Sequence, residues 1–145
     1  MAEDTIDKAA MLGGFPERAC ITHHMPIHGF RMDIDPYNDP LAVYGIHKED
    51  ILSLGEEEEN LSGFVSEKLG IRKAQVVWAV RKEMARTVED VLARRTRSLF
   101  LDARESLRMA PEVAAIMAKE LKQDKSWEEK QIAEFNTVAK NYYFE

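Results

Sequence analysis

Three arginines within four positions, Arg94, Arg95 and Arg97, form the densest group of residues that could do chemistry in this 145-residue chain. Guanidinium groups present paired N–H donors that match the oxygens of a phosphate or a carboxylate. Such a group can form an anion site, or it can cover a solvated or interface surface while its charges bind protein acceptors. We favour the second role, which Arg86 could share, because the net charge is −6 and general polyanion binders are basic.

The segment around these arginines has a clear helix start. Thr87 and Asp90 fit a capping box, in which a hydroxyl and an acid three residues later bond each other's backbone N–H groups. Asp90 also forms an i,i+4 acid–base pair with Arg94. Residues 87–96 resemble the first helix of a helix-turn-helix, but neither a glycine nor a turn signal follows them, so we predict no nucleic-acid partner. The apolar side chains of this segment are expected to face a core: Val88, Val91, Leu92, Leu99 and Phe100.

A second group of reactive side chains lies earlier in the chain, where Cys20 is followed by His23, His24 and His28. His24 and His28 have one of the spacings found in zinc sites, but such sites need four donors and the chain has no second cysteine. A cysteine nucleophile needs an electropositive setting, which the sequence does not show. We interpret these side chains as structural or surface residues and predict no metal site.

Other catalytic motifs are missing from the sequence. Asp33 and Asp35 lack the glycine and the closing glutamate of a calcium loop. No dinucleotide-binding glycine motif, phosphate-binding lysine loop or serine nucleophile elbow occurs. The acidic run 56–59 has no spaced partners for a metal and is expected to be solvated. The residues therefore predict no catalytic and no cofactor-binding side chain, which indicates a binding or scaffolding module. A single cysteine fits a reducing compartment, so we expect a cytoplasmic location.

Apolar spacing predicts an all-α fold, a small bundle of four to five main helices preceded by an irregular linker region. We divide the chain into a linker region with a short N-terminal helix, 1–36, and a helical domain, 37–145. No run of 18 apolar residues occurs, so no membrane span is expected. Helices are predicted at 2–12, near 38–44, at 47–54, at 73–86, at 88–109 with or without a kink, from Pro111 past Leu121, and from Ser126 onwards.

Several local predictions accompany this outline. Met84 has the spacing of the buried face of the helix at 73–86. Pro111 is expected to be the first residue of a helix, where its missing N–H does no harm. Ser126 and Glu129 have the spacing of a second capping box. No segment alternates like a strand, so 64–69 is predicted to be a docked loop or one helical turn.

One stretch closely resembles a known enzyme family. Residues 83–103, EMARTVEDVLARRTRSLFLDA, resemble the signature of the C-terminal helical domain of FAD-dependent (aerobic) glycerol-3-phosphate dehydrogenases. The segment 112–121 agrees less closely, and the resemblance as a whole covers most of the chain. It implies a parent enzyme that oxidises sn-glycerol 3-phosphate to dihydroxyacetone phosphate, with FAD taking the hydride and a quinone or oxygen receiving the electrons.

The resemblance also implies where the chemistry lies. In that family the flavin site, the catalytic residues and the phosphate-binding arginine belong to N-terminal domains, so this chain alone is expected to be inactive and to hold no cofactor. Its expected partner is the N-terminal FAD and substrate domain, and a quinone acceptor implies a parent at the cytoplasmic face of a membrane. A stand-alone phosphate or polyanion module and a homodimer stay open as alternatives. The predicted interface or structural residues are Arg86, Thr87, Asp90, Arg94, Arg95 and Arg97.

Overall fold

A computed structural model describes residues 1–16, 18–33, 35 and 37–144 of the chain. Helices dominate it and one small hairpin accompanies them, so the predicted all-α class is confirmed. The division at residue 36 lies outside the described residues and stays a prediction. The helices are α1 (Ala2–Gly13), α2 (Lys48–Glu57), α3 (Lys73–Lys82), a π-helix (Asp90–Arg95), α4 (Ser98–Leu101), α5 (Ala103–Leu121) and α6 (Lys125–Ala139), with 3₁₀ turns at Thr22–His24, Ala42–His47, Glu59–Leu61 and Lys140–Tyr142.

Helix α3 lies at the centre of the domain, because every residue from 74 to 80 is buried. One side of the helix, with Val76 and Val80, belongs to the main core that α5, α6 and the π-helix complete. The other side, with Val77 and Trp78, belongs to a second core. Burial on both sides agrees with the nearly continuous run of apolar residues along this helix. The second core also contains Leu41, Tyr44, Ile51, Leu61 and Ala74.

A hairpin occupies part of the segment 64–69, so the prediction of a loop or helical turn there is wrong. Strand β1 (Phe64–Ser66) pairs antiparallel with β2 (Ile71–Arg72), with an irregular register. Three and two residues are too few for alternation to be visible in a sequence. The buried Ser66 donates its hydroxyl to Glu105 on α5, which fixes the hairpin to that helix.

Helix α5 runs through Pro111, so the prediction that Pro111 begins a helix is wrong. The proline ring removes one backbone hydrogen bond from the helix interior. Met109 and Val113, on either side of it, are completely buried in the main core. Their packing outweighs the lost bond and carries the helix past the proline.

Aspartates begin the two long helices. Asp102 accepts the backbone N–H of Glu105 at 2.9 Å and so caps α5. Asp124 accepts the N–H of Trp127 at 2.9 Å and caps α6. The predicted capping box at Ser126 is therefore wrong, since the helix begins one residue earlier.

Two predicted helix ends and two predicted buried residues also differ from the structure. Helix α2 continues through Gly55 to Glu57, and α3 ends at Lys82 instead of residue 86. Met84 follows α3 with a left-handed φ of 60° and is 78% exposed. Phe100 is 61% exposed, so neither side chain belongs to the core.

The described residues of the N-terminal segment, residues 1–33, contribute no side chain to either core. Helix α1 lies where it was predicted, but none of its residues is buried. None of the other described residues of the segment is buried either. Its large apolar side chains therefore lie on the surface of this chain: Met1, Ile6, Met11, Leu12, Phe15, Ile21, Met25, Ile27, Phe30 and Met32.

Candidate functional site

The arginine junction, residues 83–97, follows α3. Because the helix ends there, its last backbone carbonyls have no helical partners. Arg86 donates from Nη1 to the carbonyls of Val80 and Ala85, at 3.4 and 3.1 Å. Arg95 donates from Nη2 to the carbonyl of Glu83 at 2.6 Å. Cationic side chains at a helix C-terminus stabilise it by such bonds and by their charge. Both arginines thus stabilise the C-terminal end of α3.

The predicted capping box in the junction is confirmed. Asp90 N–H donates to the Thr87 hydroxyl at 3.1 Å, and Thr87 N–H donates to the Asp90 carboxylate at 2.9 Å. The carboxylate also accepts the N–H of Arg86 at 3.0 Å. Partial burial opposes the charge on Asp90, but these hydrogen bonds outweigh burial and hold the pKa of Asp90 below its usual range.

Two further side chains, Arg94 and Gln131, stabilise the junction. Arg94 donates to Asp90 at 3.0 Å and to Glu89 at 2.7 Å, so its guanidinium bridges two acids of its own segment. The buried Gln131 on α6 accepts the N–H of Val88 at 3.1 Å. The predicted buried face is confirmed for the four aliphatic side chains Val88, Val91, Leu92 and Leu99.

The predicted interface residues thus divide into two groups. Arg86, Arg94 and Arg95 bind acceptors within the domain. Arg97 is exposed, has a left-handed φ of 58°, and its guanidinium has no hydrogen bond or ion pair within the part of the chain that the structure describes. Gln131 was not predicted from the sequence, because nothing in its neighbourhood distinguishes it from other helical glutamines.

The structure does not bring the four reactive side chains of the N-terminal segment together. Cys20 is exposed, and its Sγ lies 3.1 Å from the Thr22 hydroxyl. The rings of His23 and His24 meet edge to face at 4.9 Å. Within residues 1–16, 18–33, 35 and 37–144, no three His, Cys, Asp or Glu side chains are already arranged to hold a metal ion.

His28 instead meets His47, which lies 19 positions away at the start of α2. The two Nε2 atoms are 2.9 Å apart. His47 Nδ1 lies 3.1 Å from the Asp50 carboxylate, and the His47 ring packs 5.3 Å from the Trp78 ring. No motif links residues 28 and 47, so the sequence did not predict this pair.

The linker cavity lies beside this histidine pair and has a volume of about 290 Å³. Glu83 forms part of its wall, and one carboxylate oxygen of Glu83, Oε2, is buried without a hydrogen-bond partner among the described residues. Arg95 Nε is 3.9 Å from that oxygen, beyond hydrogen-bonding distance. Burial raises the pKa of Glu83 above its usual range, against the opposing influence of Arg95, His47 and the neighbouring Trp78 side chain. The cavity is lined by Ile27, His28, Gly29, Phe30, Val43, Tyr44, His47 and Glu83.

Further contacts join the N-terminal segment to the helical domain next to the linker cavity. Ile46 donates its N–H to the carbonyl of Gly29 at 3.2 Å, and Arg31 forms an ion pair with Glu49 on α2. Gly45 has a left-handed φ of 54°, and a Cβ placed there would lie 1.7 Å from the Gly29 carbonyl oxygen. Only glycine allows the N-terminal segment to approach the helical domain so closely.

Curated relatives resemble this chain over most of its length. It is 29% identical over 137 residues to "Probable glycerol-3-phosphate dehydrogenase, mitochondrial" of Dictyostelium discoideum, a match that covers 84% of this chain and 22% of the relative. It is 25% identical over 168 residues to "Glycerol-3-phosphate dehydrogenase, mitochondrial" of Saccharomyces cerevisiae, covering 90% of this chain and 25% of the relative. The chain therefore spans about a quarter of the length of these relatives. No solved structure matches it.

A family model decides the classification. The model for the C-terminal domain of alpha-glycerophosphate oxidase matches residues 20–131, which include the whole arginine junction and both sides of the linker cavity. The resemblance carried by residues 83–103 is thereby confirmed. The chain belongs to the family of C-terminal domains of glycerol-3-phosphate oxidases and dehydrogenases.

Proposed function

We propose that this chain is the accessory domain of a FAD-dependent enzyme that oxidises sn-glycerol 3-phosphate to dihydroxyacetone phosphate. In this role it packs on, and stabilises, the domain that binds the flavin and the substrate. The observation that carries the proposal is the N-terminal segment, whose large apolar side chains are exposed in this chain. Ten large exposed apolar side chains within one segment agree with a protein interface.

The flavin itself belongs to the partner domain in this proposal. The described residues do not fit a dinucleotide, because the only sheet among them is a two-stranded antiparallel hairpin without the βαβ unit that binds FAD. The linker cavity and a second cavity beside α2, of about 330 Å³, have the size of small-ligand sites. The proposal assigns no step of the oxidation to this chain.

The arginine junction supports the proposal through fewer arginines than the sequence predicted. Arg86, Arg94 and Arg95 stabilise the junction itself. Arg97, which has no side-chain partner among the described residues, can bind a carboxylate or a carbonyl of the partner domain. Because three of the four arginines already bind acceptors within the domain, the junction does not favour a stand-alone phosphate or polyanion module, which needs several unpaired cations at one place. A homodimer stays an outcome to be tested by light scattering of the isolated chain.

The size of the native polypeptide is the first test. An antibody raised against this chain, used on a lysate of the source organism, reports it directly. A band several times larger than 16.6 kDa is expected, because the matched relatives are about four times longer than this segment. A band at 16.6 kDa would contradict the proposal.

Methionine oxidation then identifies the covered surface. Met11, Met25 and Met32 are exposed in this chain, whereas Met109 and Met117 are completely buried. Brief peroxide treatment of the isolated chain should oxidise the first three and spare the last two, because oxidation follows exposure. In the native polypeptide the first three should become protected. Equal oxidation of Met11, Met25 and Met32 in both samples would refute packing through the N-terminal segment.

Two arginine substitutions in the full enzyme distinguish a role in the stability of this domain from a role in its contact with the partner domain. Arg95→Ala should lower the melting temperature more than it changes the Michaelis constant for glycerol 3-phosphate, because Arg95 binds the end of α3. Arg97→Glu should weaken the domain interface without unfolding this domain, since Arg97 has no described partner inside it. A large loss of substrate affinity with unchanged stability in either variant would contradict the accessory role.

A further inference from the structure

A pair of histidines joins the N-terminal segment to the helical domain. The Nε2 atoms of His28, on the segment, and of His47, at the start of α2, are 2.9 Å apart. Two ring nitrogens at that distance form a hydrogen bond only if one carries a proton and the other a lone pair. Next to this pair, the segment makes the backbone bond from Ile46 to Gly29 and the ion pair between Arg31 and Glu49.

Asp50 determines which histidine accepts the hydrogen bond. Its carboxylate lies 3.1 Å from His47 Nδ1 and can only accept, so Nδ1 carries the ring proton of neutral His47. The lone pair of His47 is then on Nε2, and His28 donates its Nε2–H to that lone pair. In the neutral pair the N-terminal segment therefore donates and the helical domain accepts.

Protons change this bond in two steps. The first proton can enter at His28 Nδ1, which leaves the bond intact and makes its donor a cation. The second proton has only the lone pair at His47 Nε2, which is the acceptor of the bond. Both Nε2 atoms then carry a hydrogen and both rings are positive, so the contact becomes repulsive. The doubly protonated pair cannot hold the segment on the domain.

We propose that His28 and His47 form a pH-sensitive switch, which holds the N-terminal segment on the helical domain near neutral pH and releases it when acid protonates both rings. Histidine is the side chain that ordinarily changes charge between about pH 5 and 8. His28 is exposed, so protons reach the pair from solvent. On release, the segment that carries the large exposed apolar side chains gains freedom relative to α2.

The groups around the pair favour the uptake of protons. Asp50 contacts the His47 ring, and Glu83 lies close enough for His47 to oppose the rise of its pKa. The Trp78 ring, 5.3 Å from the His47 ring, also favours a cation. The ion pair of Arg31 with Glu49 persists through the histidine range, because Arg31 lowers the pKa of Glu49. The charged side chains next to these groups have partners of their own: Asp33, Asp39, Lys48 and Arg95.

Amide hydrogen exchange at Ile46 measures the release, because the Ile46 N–H donates to the Gly29 carbonyl at 3.2 Å. NMR follows the exchange in the 145-residue chain at about pH 8 and about pH 5, with each rate corrected for the intrinsic effect of pH. The protection of Ile46 should fall by roughly three- to tenfold in acid, the net contribution of one hydrogen bond. Gln123 N–H, which binds the Ala118 carbonyl at 2.9 Å, is the control and should keep its protection.

Three variants separate the histidine pair from other effects of acid. A glutamine amide can donate to neutral His47 and accept from protonated His47, so His28→Gln should keep Ile46 protected in acid. Glu83→Gln removes a nearby acid whose pKa is raised, and the loss of protection should persist. It should also persist in the double variant His23→Gln/His24→Gln, whose histidines contact each other on the same segment. Circular dichroism verifies that each variant is folded.

The proposal is overturned if Ile46 keeps its protection in acid in the unmodified chain, or if His28→Gln loses that protection as the unmodified chain does. It is also overturned if Glu83→Gln or the double variant His23→Gln/His24→Gln abolishes the loss. The proposed accessory role does not depend on the result, because its tests use the native polypeptide and the methionines.

Discussion

The arginine junction and the N-terminal segment use their side chains in opposite ways. In the junction, three of the four arginines are bound inside the domain and the aliphatic face is completely buried. In the N-terminal segment the apolar side chains are exposed, and its contacts with the helical domain include a histidine pair, an ion pair and one backbone bond. The comparison indicates that the charged junction is a structural part of this domain. It also supports the proposal that the partner domain covers the apolar N-terminal segment.

A pair of leucines tests this contrast most strongly. Leu92 in the π-helix is completely buried, and Leu12 in α1 is 84% exposed. Leu92→Ala should lower the free energy of unfolding by about 2–5 kcal/mol through lost burial and the remaining cavity. Leu12→Ala should change it by less than about 0.5 kcal/mol, measured by urea unfolding of the isolated chain. Similar losses at both positions would show that the N-terminal segment has its own core.

A glutamine pair tests whether α6 holds the junction. Gln131→Met removes the acceptor of the buried Val88 N–H, and the unsatisfied donor should cost about 1–3 kcal/mol. Gln123→Met is the control, because Gln123 is exposed and makes one long bond of 3.5 Å to a carbonyl. If the two variants have equal stability, the bond across to α6 does not support the junction.

Met84 tests the backbone of the junction. Ala85 N–H binds the carbonyl of Ala79 at 2.9 Å, which closes α3 around a left-handed residue at 84. A side chain in that conformation costs about 1–2 kcal/mol, so Met84→Gly should raise stability by about 1 kcal/mol after the entropy of glycine is deducted. Met25→Gly, at an exposed position with negative φ, should not raise it. Urea unfolding of both variants decides the point, and a destabilised Met84→Gly would mean that the Met84 side chain packs.

Two acids of the junction should give stability opposite dependences on pH. The pKa of Asp90 is lowered, so its contribution is present above the usual carboxyl range and is lost as the pH falls. The pKa of Glu83 is raised, so its contribution is present at low pH and is lost as the pH rises through the folded value. Near pH 7, Asp90→Asn should destabilise and Glu83→Gln should stabilise, each by less than about 1 kcal/mol. Thermal melts from pH 3 to 8 measure both, and changes of equal sign would contradict this account.

Sequence patterns predicted those parts of the fold that depend on neighbours along the chain. The helix at α3, the capping box of Thr87 and Asp90 and the buried face of Val91 and Leu92 all follow from spacing within about ten residues. The hairpin and the path of α5 through Pro111 depend on packing from elsewhere, which overrides local propensity. The pair His28 and His47 and the bond from Gln131 join distant segments, so no local pattern could predict them.

The π-helix has a consequence for how this segment changes through insertions and deletions. Thr96 N–H binds the carbonyl five residues back, Val91, at 2.9 Å, so this turn holds one residue more than an α-helical turn. Deleting the exposed Arg94 would leave an ordinary α-helical turn between unmoved ends. A deletion in the middle of α5 would instead rotate all that follows by about 100°. Alignments of related sequences should therefore tolerate a one-residue gap at 90–95 and exclude one within α5.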